Sequence, residues 1–374
     1  MAFKSKQIQL SELSEFRNGK FLPTKERSTI GKYDVYGSNG IIAKSEKFLY
    51  DKPVIVIGRV GANCGTINST KNPSWVTDNC IVSIPKSETD FNFLYYRLKI
   101  LKLNNLAIGS AQPMLTQDIL NSIEIISLTL PQQQKIGKTL YDLDIKIENL
   151  QTQNKILEQT AQTIFKSWFV DFDGVTEFED SKLGQIPKGW EVESLDDNIN
   201  FLNGLALQNF RPLNEEFLPA IKIKEMNEGI SEKTEKVGLH IDPKYIINNG
   251  DVLFSWSGSL VLTLWCFGRG ALNQHLFKVT SEKYTKWFFY QWTKFHLLEF
   301  RRIAAGKTTT MGHIQRHHLH EALILVPPIK ILENYNTIFQ PIFDQIISNK
   351  LEVENLTKTR DALLPKLMSG EIRV

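Results

Sequence analysis

The series of elements in residues 1–170 returns in the same order about 196 residues later. That period suits a whole domain plus a helix and is too long for a solenoid. The repeated series is a hydrophobic strand, a small-residue turn, an aromatic helix, a Gly-Ser/Thr loop, a proline and a long heptad helix. Asp51-Lys52-Pro53-Val54-Ile55-Val56-Ile57-Gly58 aligns with Asn249-Gly250-Asp251-Val252-Leu253-Phe254-Ser255-Trp256. Phe91-Asn92-Phe93-Leu94-Tyr95-Tyr96 aligns with Thr285-Lys286-Trp287-Phe288-Phe289-Tyr290. Gly109 aligns with Gly306, Met114 with Met311, and Pro131 with Pro328. Two diverged copies of one frame suit a ligand with two related but unequal halves, and double-stranded DNA with a bipartite target is such a ligand.

Each copy reads as mixed α/β. Val54 to Ile57, Cys80 to Ile84, Val252 to Trp256 and Leu276 to Val279 are apolar runs bounded by Gly, Pro and Asn, the pattern of strands. Phe91 to Leu103 and Trp287 to Phe300 carry apolar residues at helical spacing. After Pro131, the positions Ile136, Leu140, Leu143, Ile147, Leu150, Asn154, Leu157, Ala161, Ile164 and Trp168 alternate steps of four and three. After Pro328, so do Leu332, Tyr335, Phe339, Ile342, Ile346, Asn349, Val353, Leu356, Arg360, Leu363 and Leu367. This is a coiled-coil seam. Asn154 and Asn349 sit near the middle of each, where an Asn fixes register at some cost in stability. The two helices are expected to pair with each other; the alternative is that each packs on its own domain. Pro341, near the start of the second helix, and Pro365, near its end, should locally break its hydrogen-bond ladder. A helix of about 36 residues is roughly 55 Å long, against about 34–36 Å for one DNA turn. A pair of this length would act as a ruler between two half-sites. The expected division is a first α/β domain over 1–130, a long helix over 131–172, a second α/β domain over 173–327 and a long helix over 328–374.

At 374 residues, two domains that each bury a core are expected. A net charge of +3 permits a nucleic-acid partner without requiring one, so any DNA footprint must come from how charge is distributed. Cys64, Cys80 and Cys266 are scattered, which argues for a reducing compartment and against a disulfide framework or zinc ribbon. The start, Met1-Ala2-Phe3-Lys4-Ser5-Lys6, lacks an apolar signal region, and the apolar runs are too short for a bilayer. A cytoplasmic location is expected, with no membrane association.

Catalytic motifs are incomplete. Asn72-Pro73-Ser74-Trp75 is similar to the Asn-Pro-aromatic element with which adenine-N6 methyltransferases hold a flipped base. No Gly-rich loop follows a strand to seat S-adenosylmethionine, and the second copy lacks the element. A turn before a strand is the plainer reading. Gly306-Lys307-Thr308 has the form of a P-loop end, but Arg301 stands where its first Gly is needed. No Glu-x-Lys of a metal-dependent nuclease occurs. His313, His317, His318 and His320 cluster, and 313/317 have helical metal spacing. A helix end facing a polyanion is the preferred reading, and no metal or cofactor is assigned.

Recognition chemistry remains. In the first copy Lys20, Lys25, Arg27 and Lys44 supply charge, and Ser38 and Asn39 lie in a Gly-rich loop whose amides can approach phosphates. Arg59, Asn63, Thr77 and Asn79 could reach base edges from strand ends. The second copy offers Lys222, Lys224, Asn227, Ser257, Ser259, Asn273, Gln274 and His275, then Lys307, Thr308, Thr309, Thr310 and His313. Singly, each suits an ordinary solvated loop; their recurrence at matching places makes the case.

With these residues in view the chain resembles, over essentially its whole length, the specificity subunit of type I restriction–modification systems. Gly184-Gln185-Ile186-Pro187-Lys188-Gly189-Trp190-Glu191-Val192 resembles the entry to that family's second target-recognition domain. Phe165-Lys166-Ser167-Trp168-Phe169-Val170-Asp171-Phe172 resembles the end of its central helix, and Leu364-Pro365-Lys366-Leu367-Met368-Ser369-Gly370-Glu371-Ile372 its C-terminus. Tyr36-Gly37-Ser38-Asn39-Gly40 and Pro131-Gln132-Gln133-Gln134-Lys135-Ile136 also fit, with Gln133 where Glu is usual. Pro327-Pro328-Ile329-Lys330-Ile331 is degenerate. The resemblance implies two tandem α/β target-recognition domains separated by two long helices that pair as an antiparallel coiled coil. It implies a non-catalytic reader of double-stranded DNA, each domain taking half of a split site. Two modification (methyltransferase) subunits would dock on the helices, and restriction subunits would join that core. A stand-alone adenine-N6 DNA methyltransferase and a coiled-coil scaffold without DNA contact are the competing readings.

Overall fold

The repeat read in the sequence is a repeat of sheet topology. The computed structural model describes residues 7–109, 112–306 and 312–372. It divides into two units, residues 1–146 with 356–374, and residues 147–355. In the first, β1 (Ser14–Asn18), β2 (Ile55–Gly58), β3 (Ile67–Ser69) and β4 (Cys80–Pro85) form an antiparallel sheet in the order β1-β4-β2-β3. In the second, β5 (Asn200–Asn203), β6 (Val252–Ser255), β7 (Leu262–Leu264) and β8 (Leu276–Thr280) form another in the order β5-β8-β6-β7. These are the same order.

The central strands are apolar on both faces because both faces are covered. Ile55, Ile57 and Ile81 pack with Phe93 and Leu94 of helix α1 (Phe91–Ile100), while Val56, Cys80 and Val82 pack with Tyr36 and Val76 of a smaller sheet. That smaller sheet orders Gly40–Ser45, Tyr33–Gly37 and Ser74–Val76, the last two parallel. Its counterpart orders Lys236–Val237, Leu218–Ile221, Gly270–Leu272 and Ile246–Ile247, again with a central parallel pair. The single bridge Tyr50–Ser74 stands where the second copy has Ile246–Ile247.

The long helices are α2 (Leu130–Phe169) and α4 (Ile329–Ser369), with helix α3 (Lys286–Ala305) preceding the latter. They pair antiparallel in both units. In the second unit Asn349 Nδ2 donates to Asn154 Oδ1 at 3.0 Å and Asn154 Nδ2 to the Ile346 carbonyl at 3.3 Å, both residues being buried. Trp168 stacks on Tyr335 at 4.3 Å, and Trp287 on Phe339 at 4.2 Å. In the first unit Arg360 Nη1 meets Asp144 at 2.6 Å, and Tyr96 donates to the same carboxylate at 2.6 Å. Leu367 and Met368 join Ile136, Leu140 and Phe93 in one core. Arg97, buried with no acidic partner among the described residues, donates to the Met368 carbonyl at 2.8 Å, and burial pulls its guanidinium down to about 10. It holds the negative end of the last helix.

α4 continues through Pro341 and Pro365. Each proline removes a single N–H from the ladder, and around Pro341 the buried Phe339, Phe343 and Ile346 keep the helix anchored in the second core.

Candidate nucleic-acid interface

In each unit the two sheets are joined by one tight turn, and the polar loops gather there. In the first unit strand Ser74–Val76 passes into β4 through Thr77-Asp78-Asn79, closed by Cys80 N donating to the Thr77 carbonyl at 3.0 Å. Gly19 packs so closely on this turn that a Cβ would lie 2.1 Å from the Thr77 carbonyl oxygen. Arg59, directly after β2, donates its backbone N–H to the Asn79 carbonyl at 2.9 Å and points Nη1 at the Asp78 carbonyl at 3.4 Å. Ser38 Oγ donates to the Asn79 carbonyl at 2.8 Å. Lys20 donates its backbone N–H to the Val76 carbonyl at 2.9 Å and leaves its side chain exposed.

The second unit builds the same turn from Asn273-Gln274-His275, closed by Leu276 N on the Asn273 carbonyl at 2.9 Å. Gly204 takes the place of Gly19, with a Cβ position 2.3 Å from the Asn273 carbonyl oxygen. Trp256 N donates to the His275 carbonyl, as Arg59 N does to Asn79, and Ile314 N to the Trp256 carbonyl, as Leu115 N does to Arg59. These bonds correct the repeat alignment. Trp256 corresponds to Arg59 rather than Gly58, and the residue bridged to Ser257 is His313, where Met114 bridges Val60. β2 and β6 are buried throughout, so their apolar pattern does not mark which residue faces which side, and a slip of one is invisible in sequence. Met311, the expected partner of Met114, lies outside the described residues.

The expected contact residues separate accordingly. Ser38, Arg59, Thr77 and Asn79 meet at the first junction, with Lys20 beside it. Asn39 is exposed in the adjoining turn, and Asn63 ends a short helical turn, its carbonyl accepting from the Thr66 hydroxyl at 2.8 Å. Thr77 is 1% exposed and its hydroxyl donates to the Tyr36 carbonyl, so its side chain is a structural strut and not a contact. Lys25, Arg27 and Lys44 lie elsewhere, where Ser28 pairs with Lys44. Arg27 Nε is tied to the Leu22 carbonyl and Lys44 to Asp34 at 2.7 Å.

Ser257, Asn273, Gln274, His275 and His313 gather at the second junction. Ser257 and Asn273 are buried and satisfied internally, which removes both side chains as direct contacts. Ser259 is exposed beside them. Lys222, Lys224 and Asn227 belong to a separate short helix, where Glu235 pairs with Lys222 and Glu228 lies 3.9 Å from Lys224. Lys307, Thr308, Thr309 and Thr310 lie outside the described residues.

Sequence reasoning missed three residues here. Trp256 ring-packs with His275, Phe277 and His313 at 5.9, 5.9 and 6.3 Å. Arg301 lines an open cleft of about 420 Å³ with Ser259 and Gly312, and Arg316 lies over the Phe277 ring. No motif signals them: Arg301 and Arg316 arrive from α3 and from the helix Arg316–Glu321, and Trp256 follows a strand buried on both faces.

Burial pushes the Cys64 and Cys80 thiols up, which keeps them neutral. Trp75, last residue of the Asn72-Pro73-Ser74-Trp75 element, is in a strand with its indole N–H on the Lys20 carbonyl at 2.8 Å. His317, His318 and Glu321 bring donor atoms within 4.8 Å of one another, as do Asp196, Asp197 and His320, while His313 stands in neither group.

The family model described as the type I restriction modification DNA specificity domain matches residues 4–159 and 187–358. The chain belongs to that family. The specificity subunit of the type I restriction enzyme MjaIX of Methanocaldococcus jannaschii is 31% identical over 332 residues, covering 84% of this chain and 76% of that one. The HindI specificity subunit of Haemophilus influenzae is 26% identical over 335 residues, covering 70% and 71%. The crystal structure of a type I restriction–modification S subunit from M. genitalium superposes with a TM-score of 0.67 at 16% identity, covering 98% and 97%, which is a likeness of fold. Specificity subunits recognise DNA and are not themselves catalytic, so the methyltransferase reading of Asn72 to Trp75 is not supported. No helix among the described residues is long and apolar enough to cross a membrane.

Proposed function

We propose that each domain of this specificity subunit reads one half of a bipartite, asymmetric DNA target through its sheet junction. The observation that carries this reading is the recurrence of one backbone junction with different outward side chains, Arg59, Asp78 and Asn79 in one copy and Trp256, Gln274 and His275 in the other. A fixed frame with exchanged side chains is how one fold reads two sequences. Lys20 and Arg59 supply phosphate attraction or base contact in the first half. Lys25, Arg27, Lys44, Lys224 and Asn227, off the junction turns, serve at most the flanking backbone, as does Lys222, which follows Ile221, whose carbonyl accepts from Asn273 N at 3.2 Å. Two modification subunits dock on α2 and α4, and restriction subunits join that core. Methyl transfer, S-adenosylmethionine and ATP belong to those partners.

The test is to co-express the chain with the modification subunits of its own system and map methylated adenines. One split motif is expected, and exchanging residues 191–326 for the corresponding segment of a diverged relative should change one half of it only. Stoichiometric binding of S-adenosylmethionine by the isolated chain would overturn the reading, as would exchange altering both halves.

A further inference from the structure

The turn Asn273-Gln274-His275-Leu276 leaves little polar chemistry uncommitted. Asn273 is 6% exposed and its Oδ1 accepts from His275 N at 3.2 Å. Ser257 is 4% exposed and its Oγ lies 3.0 Å from His275 Nδ1. Trp256 gives its indole N–H to Asn203 Oδ1 at 2.8 Å. Gln274 remains. Its backbone N–H is fixed on the Leu205 carbonyl at 2.8 Å, so the half-buried side chain departs from a defined point.

The Gln274 amide turns its nitrogen toward the His275 ring. Its Nε2 lies 3.4 Å from His275 Nε2. A donating amide there makes His275 Nε2 the acceptor, places the ring proton on Nδ1 and makes Ser257 Oγ its acceptor. The imidazole is then held from both sides. The amide is left with Oε1 and one N–H, neither with a partner among the described residues. An acceptor beside a donor is complementary to the N6 amino group and N7 of adenine in the major groove. In the first copy Asp78 occupies this place, and a carboxylate only accepts, so the same position carries a different code.

Building on the DNA-reading function above, we propose that Gln274 reads an adenine of the second half-site through its major-groove edge. His275, braced by Ser257, is the positioning residue for that amide. The indole of Trp256 packs beside the imidazole at 5.9 Å and limits its rotation.

The full chain, assembled with the modification subunits of its own system, is first used to select its target from a randomised duplex pool. Each A·T pair of the second half-site is then changed in turn, and each adenine replaced by 7-deazaadenine, which lacks the N7 acceptor. The wild-type complex should lose about tenfold or more in affinity at one A·T pair. Gln274→Ala should become indifferent to that pair and to its 7-deaza form while discriminating normally elsewhere. Gln274→Glu, which offers acceptors only, should shift the preference at that pair. His275→Phe keeps the ring volume without its nitrogens and should blunt discrimination at the same pair. Retained discrimination at the other pairs of the second half-site reports that the second domain of each variant is folded. A Gln274→Ala protein that discriminates like wild type at every pair overturns the proposal, as does one that weakens all duplexes equally. If the wild-type complex selects no sequence at all, the DNA-reading function itself fails, which is a separate result.

Discussion

At the end of β2 stands Arg59, and at the same backbone position after β6 stands Trp256. Both donate a backbone N–H to the turn and accept one from a returning segment, Leu115 or Ile314. Beyond the backbone they share nothing. Arg59 brings a permanent charge with Lys20 near it, while Trp256 brings an aromatic surface continued by His275, Phe277 and His313. The difference shows where the fold spends its constraints. Glycine, inter-sheet bonds and buried hydroxyls fix the turn, and the outward side chains are then free to differ. On the function proposed above, the first junction would act by electrostatic attraction and the second by shape and directed hydrogen bonds.

The largest effect should come from breaking the shared frame. Gly19→Ala and Gly204→Ala each place a methyl group against a backbone carbonyl oxygen, 2.1 and 2.3 Å away, with no flexible side chain to yield. Destabilisation of about 3 kcal/mol or more in the domain concerned is expected, at the upper end of overpacking costs. Denaturant unfolding measures it, and half-site binding should be lost on one side only, the first for Gly19 and the second for Gly204. If Gly19→Ala also abolished selectivity at the second half-site, the two junctions would not be independent readers.

Next in size are the two ways the units fasten α2 to α4. The second unit uses an amide pair, Asn154 with Asn349, and the first a carboxylate shared by Arg360 and Tyr96. Asn349→Leu alone takes the donor from the buried Asn154 Oδ1 and should cost about 1–3 kcal/mol, whereas the double change Asn154→Leu with Asn349→Leu should be nearly neutral or stabilising. A double-mutant cycle in denaturant measures the coupling. Additive single effects would mean that the amides do not fix each other, and with them the register.

The same contrast marks what was legible in the sequence. The heptads at Ile136, Leu140, Ile147 and Leu150 are visible because one buried stripe on a long helix leaves a period. Phe165 and Phe169 lie off that stripe, yet both are buried against Trp292 of α3, at 4.9 and 5.9 Å, and no period announces a contact with another element. The one-residue slip that set Gly58 opposite Trp256 arose in strands buried on both faces. Thr77, Ser257 and Asn273 look like base readers because they are polar residues in Gly- and Asn-rich loops. They are buried because a turn between two sheets must satisfy its own donors and acceptors. Gln274 has the same composition around it and a different fate, which only the hydrogen bonds distinguish.

A smaller effect separates the two chemistries. Lys20→Ala and Arg59→Ala should each lower the salt slope of DNA binding by about 0.9 if each meets a phosphate. Adding Arg27→Ala should change little more, because its Nε is committed to the Leu22 carbonyl. Trp256→Phe should leave the slope unaltered while affecting second half-site selectivity. Binding titrations across a salt series decide this, and a slope that falls with Trp256→Phe but not with Arg59→Ala would reverse the assignment of charge and shape to the two copies.

The smallest effects are expected at Lys44, in the smaller sheet of the first copy, and Lys222, directly after strand Leu218–Ile221 of its counterpart, each paired with an acid, Asp34 at 2.7 Å and Glu235 at 2.5 Å. Their pairs are exposed enough that the ion pairing is worth only about 0.2–1 kcal/mol. A lysine so weakly held can exchange its carboxylate for a phosphate, but only the difference between the two partners reaches the affinity. Lys44→Ala and Lys222→Ala should therefore change DNA affinity less than Arg59→Ala does. Glu235→Gln frees Lys222 from its acid and should strengthen binding slightly at low salt, an effect that fades as salt rises. Equal, large losses at Lys44 and Lys222 would move the DNA-contacting surface from the turns to the smaller sheets in both copies, and Arg59 and Trp256 would then differ for reasons of packing alone.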